Sequence, residues 1–75
     1  MTPHKSLDCV GLFCPMPIIK TKQELDAMKQ GEILEILADD PAFEKDLPAW
    51  CKSSGEKFLE LAKDGAIFKG YVMKV

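Results

Sequence analysis

The sequence predicts an α/β fold: a two-layer sandwich of order β-α-β-α-β-β, with a four-stranded mixed sheet and two helices on one of its faces. Three observations lead there. Turn residues at Gly11, Gly31, Asp39-Asp40-Pro41, Gly55 and Asp64-Gly65 cut the chain into six short segments. Two of those segments repeat apolar residues at helical spacing, while the run after Gly31 and the C-terminal pair read as strands. Right-handed crossovers then put both helices on the same side if the sheet is to have a single covered face, and the last strand runs antiparallel to the others.

The first segment, Lys5 to Cys9, carries little pattern of its own; the loop and helix that follow make it a short first strand. From Pro15 to Lys29, the residues Ile18, Thr21, Leu25 and Met28 share one helical face, and Lys20, Lys22, Glu24, Asp26 and Lys29 face water. Gly31 stands where a left-handed cap ends a helix, and "EILEILA", Glu32 to Ala38, follows as a strand with Leu34, Ile36 and Ala38 on one face.

Asp40 before Pro41 has the form of a helix N-cap, and Phe43, Leu47, Trp50 and Cys51 recur at helical spacing up to Gly55. Pro48 lies inside that pattern. It either kinks the helix or marks a restart capped by Asp46, and the sequence does not choose between them. The tail gives two strands, Lys57 to Ala62 and Ile67 to Lys74, joined across Lys63-Asp64-Gly65-Ala66, where Asp-Gly supplies the positive φ of a tight hairpin.

At 75 residues the chain has room for one domain, residues 1–75. With 47% hydrophobic and 29% charged residues it is composed to bury a core. A formal charge of -2 and a pI near 5.3 disfavour direct nucleic-acid binding, which relies on concentrated Lys and Arg. The polar start, Met1 to Ser6, lacks the layout of a signal peptide, and no apolar run is long enough to insert into a membrane, so a cytoplasmic protein is expected. Three cysteines, Cys9, Cys14 and Cys51, fit reduced thiols better than a disulfide framework. Their spacing gives neither a Cys-x-x-Cys redox motif nor a zinc site.

The chemistry concentrates in "GLFCPMPIIK", Gly11 to Lys20. A helix leaves its first four N–H groups without internal partners, so Pro15 and Pro17 cost the first turn little. Pro15 disfavours a helical conformation at Cys14, which would make the cysteine the N-cap at the positive end of the helix. The macrodipole there favours an anion by up to about 2 kcal/mol. On that basis an exposed Cys14 would titrate near about 7 rather than about 8.5. Because both prolines lack N–H groups, the helix end is a poor cradle for phosphate. The bland reading of Cys14 is a small capping residue.

The motif changes the balance between those readings. "LDCVGLFCPMPIIKTK", followed by "GEILEILADDPA" and "DLPAWC", resembles the TusA-like (SirA-like) sulfur-carrier family, whose hallmark is L-D-x-x-G-x-x-C-P-x-P at the head of the first helix. Leu7, Asp8, Gly11, Cys14, Pro15 and Pro17 match it, and the likeness covers nearly the whole length. The resemblance implies a sulfurtransferase in which Cys14 carries sulfur as a transient persulfide on a mount formed by Pro15, Pro17 and Gly11, with no bound cofactor and no metal. It also implies protein partners: a donor such as a cysteine desulfurase or rhodanese, and an acceptor in a sulfur relay. Family members serve tRNA thiolation, molybdenum-cofactor synthesis or sulfur oxidation, and some accompany membrane permeases. A monomer is expected. The alternatives are a non-catalytic regulatory or permease-associated module and a thiol-disulfide module using Cys9 with Cys14.

The remaining candidates have bland readings. Cys9, at a strand end, reads as a small apolar residue with a secondary thiol role kept open. Cys51 reads as core, Asp39 and Asp40 as turn and cap groups, and His4 as solvated. Met16 is expected to be exposed beside the cysteine, where a flexible thioether could help partners dock, and Lys20 and Lys22 read as helix-surface lysines.

Overall fold

The chain runs β1 (Lys5–Asp8), α1 (Met16–Asp26), β2 (Ile33–Ala38), α2 (Phe43–Ser54), β3 (Lys57–Asp64) and β4 (Ile67–Met73) in a computed structural model that describes residues 2–75. Met1, the first residue of the polar lead-in, lies outside the described residues. The sheet order is β1-β2-β4-β3. β1 pairs parallel with β2 through Leu7 opposite Ile36, and β4 runs antiparallel to both β2 and β3. This is the expected mixed sheet with the expected odd strand.

The core forms between the helices and one sheet face. Alternation along β2 buries Leu34, Ile36 and Ala38, and β4 adds Phe68 and Val72. Leu25 comes from α1, and Phe43, Leu47 and Cys51 come from α2 at one-turn intervals. Gly70 has a specific role here: a Cβ built on it would stand 2.4 Å from Leu47 Cδ2 and 3.3 Å from a Phe43 ring carbon. Its missing side chain lets α2 settle onto β4. The opposite face carries a polar chain across three strands, where Glu35 accepts hydrogen bonds from Ser6 Oγ at 3.0 Å and from Tyr71 Oη at 2.7 Å.

Several boundaries differ from expectation, each for a local reason. α1 ends at Asp26, because the Ala27 and Met28 N–H groups turn back to the Glu24 and Leu25 carbonyls, three residues earlier. Met28 still packs against the core from that turn. Pro17 and Thr21 are buried, while Ile18 is only half-buried, so the inward face is rotated toward the proline. The Thr21 hydroxyl is satisfied by donating to the Pro17 carbonyl at 2.7 Å.

α2 begins at Phe43 with Ala42 as its cap, not at Asp40, and it continues through Pro48 without a restart. Asp40 still organises the entry: its carbonyl accepts from the Phe43 N–H, and its carboxylate accepts from the Ala42 N–H at 3.2 Å. Gly55 closes the helix at φ +87. β3 extends to Asp64, which pairs with Ile67, so the hairpin turn is Gly65-Ala66 instead of Asp64-Gly65. Gly65 takes the positive φ at the first central position, which leaves Ala66 an ordinary negative one.

Candidate functional site

β1 and β2 are parallel neighbours, so the loops leaving their carboxyl ends lie side by side. The first runs from Cys9 to Pro15 and the second contains Asp39 and Asp40. The two loops are stitched together. Asp39 Oδ1 accepts from the Gly11 N–H at 2.9 Å, and Asp40 Oδ2 accepts from the Cys14 N–H at 2.8 Å. Asp8 Oδ1 holds the start of the first loop by accepting from the Val10 N–H at 2.9 Å. Gly11 sits at φ +86, the left-handed region in which a side chain would be strained.

Cys14 is exposed at the tip of this construction. It is not the helix cap; Pro15 is, with φ -95, and the Cys14–Pro15 peptide bond is cis. Pro17 is fully buried and pins the head of α1 into the core. Cys14, Gly11, Pro15 and Pro17 therefore occupy one short, well-braced segment. Around it, Val10, Phe13, Met16 and Ile19 leave large apolar side chains in solvent, Phe13 at 70% of its full exposure. Met16 is exposed, as its position after the cysteine suggested.

The carboxylates near Cys14 oppose the lowering expected from the helix end. The Cys14 thiol is pushed up from the ordinary range, first by a hydrogen bond to the Asp46 carboxylate, then by desolvation and by the charges of Asp46 and Asp40. The helix end is weaker than its position suggests. Pro15 and Pro17 supply no donors, and the Met16 N–H is already bonded to the Phe13 carbonyl at 2.8 Å. The nearby carboxylate charges oppose a helix end that two prolines have stripped of donors.

The secondary-thiol reading of Cys9 is corrected. Cys9 has 0% exposure, and it belongs to the core cluster. Its N–H extends the sheet to the Leu37 carbonyl at 2.7 Å, and its carbonyl accepts from the Leu12 N–H. Burial pushes its thiol up, with Lys20 opposing and Asp8 assisting. A resolving thiol must be reachable, and this one is walled in. Cys51 is buried in α2, where burial pushes it up to about 11.

Other surface residues are placed more simply. His4 is exposed but not merely solvated: its Nδ1 accepts the Ile33 N–H at 2.9 Å and ties the lead-in to β2. Lys22 pairs with Asp26 one turn on, away from the cysteine. Among the described residues no three His, Cys, Asp or Glu side chains converge as metal ligands would.

Sequence reasoning gave Asp39 and Asp40 a turn-and-cap role, and so missed that both hold the cysteine loop. The signal that finds them is topological. Once the first two strands are parallel neighbours, the loops after them must meet.

The sequence pattern of a protein family described as Sulfurtransferase TusA matches residues 5–74. The chain is 43% identical over 74 residues to YrkI of Bacillus subtilis, whose name describes a candidate sulfur carrier, with 99% of each chain covered. It is 37% identical over 70 residues to the sulfur carrier protein TusA of Allochromatium vinosum, covering 93% of this chain and 92% of that one. Among solved structures, a SirA-like protein of Desulfitobacterium hafniense superposes with a TM-score of 0.79 at 22% identity, covering 92% of this chain and 95% of the other. That last likeness is one of fold.

Proposed function

The chain belongs to the TusA sulfurtransferase family, and we propose from there that it is a sulfur carrier whose Cys14 accepts a persulfide sulfur from one protein and passes it to another. The observation that carries this reading is an exposed cysteine braced from both sides: Asp40 grips its N–H, and Pro17 anchors the helix behind it. A carrier serves two partners in turn, and a fixed sulfur lets each align its own cysteine without reordering a loop.

The exchange is redox-neutral. The Cys14 thiolate attacks the terminal sulfur of a donor persulfide; the donor's S–S bond breaks, a new S–S bond forms on Cys14, and the donor leaves as a thiolate. An acceptor thiolate then attacks the terminal sulfur on Cys14, and Cys14 leaves as the thiolate. Neither step needs an electron carrier or a metal, so the chain works without a bound cofactor. Its acidic balance suits handing sulfur to proteins rather than to nucleic acid, and a desulfurase or rhodanese is the class of donor that makes such persulfides.

The test is transfer of label. Radiolabelled sulfur from cysteine, supplied through a cysteine desulfurase, is expected to appear on the wild-type chain in a form released by dithiothreitol, and not on Cys14→Ser. Label that stays on Cys14→Ser would place the sulfur elsewhere.

A further inference from the structure

Cys14 stands amid most of the large apolar side chains that the fold leaves in solvent. Among the described residues these are Val10, Phe13, Met16, Ile19 and Val75, and all but the last lie within five residues of the cysteine in sequence. The Met16 N–H donates to the Phe13 carbonyl at 2.8 Å, and Ile19 follows Met16 one turn along the same side of α1. A single exposed apolar residue needs no explanation. Four gathered around one reactive sulfur, none of them belonging to the core cluster, mark a surface that something covers.

The ground beneath that surface is acidic. Asp8, Asp39 and Asp40 accept from the N–H groups of Val10, Gly11 and Cys14, so three carboxylates lie directly against the cysteine loop. Backbone donors do not cancel a carboxylate's charge, and among the described residues the lysine ion pairs go to Glu24, Asp26, Asp64 and Glu56 instead.

We propose, resting on the carrier reading, that Val10, Phe13, Met16 and Ile19 form the docking surface for the sulfur-donor protein, with Phe13 as its anchor, and that the donor presents its persulfide cysteine from an apolar hollow edged by lysine or arginine. The charge selects this occupant. A second copy in a two-fold contact would bring its own three carboxylates against these and be repelled. An anionic membrane or a nucleic acid is turned away by the same charge. A cationic rim is drawn to it, while the apolar side chains supply the buried centre, where aromatic residues and methionine are over-represented. Phe13 is the most exposed of the four and adjoins the cysteine, and an aromatic ring is ordered at low entropic cost.

The experiment measures initial rates of sulfur loading by intact-protein mass spectrometry over a range of carrier concentrations, with a cysteine desulfurase and cysteine, or a rhodanese and thiosulfate, as donor. Phe13→Ser is expected to raise KM by about tenfold or more with kcat nearly unchanged, the signature of lost binding with the chemistry intact. Met16→Gln should raise KM by a smaller factor. Val75→Ser, beyond the end of β4 that pairs with Ile33 and so at the far end of the sheet, should leave both constants at wild-type values. Iodoacetamide alkylation of Cys14, which needs no docking, should run at the wild-type rate in Phe13→Ser. The wild-type KM should rise as ionic strength goes from about 0.01 to about 0.15 M. Asp39→Asn, which keeps the oxygen that the Gly11 N–H uses but loses the charge, should flatten that rise.

A wild-type KM in folded Phe13→Ser, or a wild-type chain whose KM stays level or falls as salt rises, overturns the proposal and leaves the carrier reading standing. A wild-type dimer in sedimentation that Phe13→Ser dissociates overturns it too, because the surface then belongs to a second copy. Should Phe13→Ser not fold, Val10→Ser combined with Met16→Gln carries the same prediction and the same refutation. A wild-type chain that neither donor loads, although its Cys14 is alkylated, overturns the carrier reading and the proposal with it.

Discussion

Replacing Asp40 with alanine should cost the protein both stability and its fixed sulfur. Asp40 is 8% exposed and uses both carboxylate oxygens, one on the Cys14 N–H at 2.8 Å and one on the Ala42 N–H at 3.2 Å. The first is a short, part-buried bond to a charged acceptor, a type worth about 1.5 to 3 kcal/mol. The second is longer and closes the turn that enters α2, adding about 0.5 kcal/mol. Together Asp40→Ala is expected to destabilise by about 2 to 3.5 kcal/mol. For a domain of this size that lowers Tm by about 10 to 20 °C. Asp39→Ala removes only the exposed bond to the Gly11 N–H and should cost about 1 kcal/mol or less. Urea denaturation of both variants, with unchanged m-values confirming two-state unfolding, reads the ranking directly. The sulfur-loading rate should fall in Asp40→Ala as the Cys14 loop loses its tether. If Asp40→Ala cost under about 0.5 kcal/mol, or less than Asp39→Ala, the bracing of Cys14 by its neighbouring loop would be wrong.

Other predictions follow from the packing. Gly70→Ala places a Cβ against the buried Leu47, and should destabilise by about 1 to 3 kcal/mol; the double variant Gly70→Ala/Leu47→Ala should cost less than the sum of the singles, because the smaller side chain admits the methyl group. Cys51, pushed up to about 11 by burial, is a thiol in the folded chain and a thiolate in the unfolded chain above its ordinary pKa of 9.0. A raised folded pKa gives stability that is fully present below pH 9 and lost as the pH climbs towards 11. The loss is about 2 to 3 kcal/mol at roughly 1.36 kcal/mol per pKa unit. Urea unfolding of wild type between those limits should show this slope, and Cys51→Ala should show a shallower one. Gly11→Ala, at φ +86, should unfold more easily by about 1 kcal/mol, measured the same way.

What could be read from the chain alone was whatever neighbours in sequence decide. The spacing of Leu34, Ile36 and Ala38 marked β2, and Phe43, Leu47 and Cys51 marked α2, because periodicity is a local signal. The exposure of Cys14 was legible from its two prolines and its motif. Its ionisation was not, since Asp40, whose charge raises the thiol, stands 26 residues further along and meets the cysteine loop only because β1 and β2 pair in parallel. Nor is Cys14 the helix cap: Pro15 holds that place, neither proline has an N–H, and that of Met16 bonds the Phe13 carbonyl. Cys9 looked available because it is near Cys14 in sequence, but its place at the end of β1 carries it into the core. The Gly65-Ala66 turn was displaced by one residue because β3 pairs as far as Asp64, a register that the turn sequence does not contain.

The most direct test of the carrier account is intact-protein mass spectrometry after incubation with a cysteine desulfurase and cysteine, and separately with a rhodanese and thiosulfate, using wild type and Cys14→Ser. The account predicts one added sulfur atom on wild type, removed by reductant and absent from Cys14→Ser. No added sulfur from either donor, on a chain whose Cys14 is still alkylated by iodoacetamide, would contradict it.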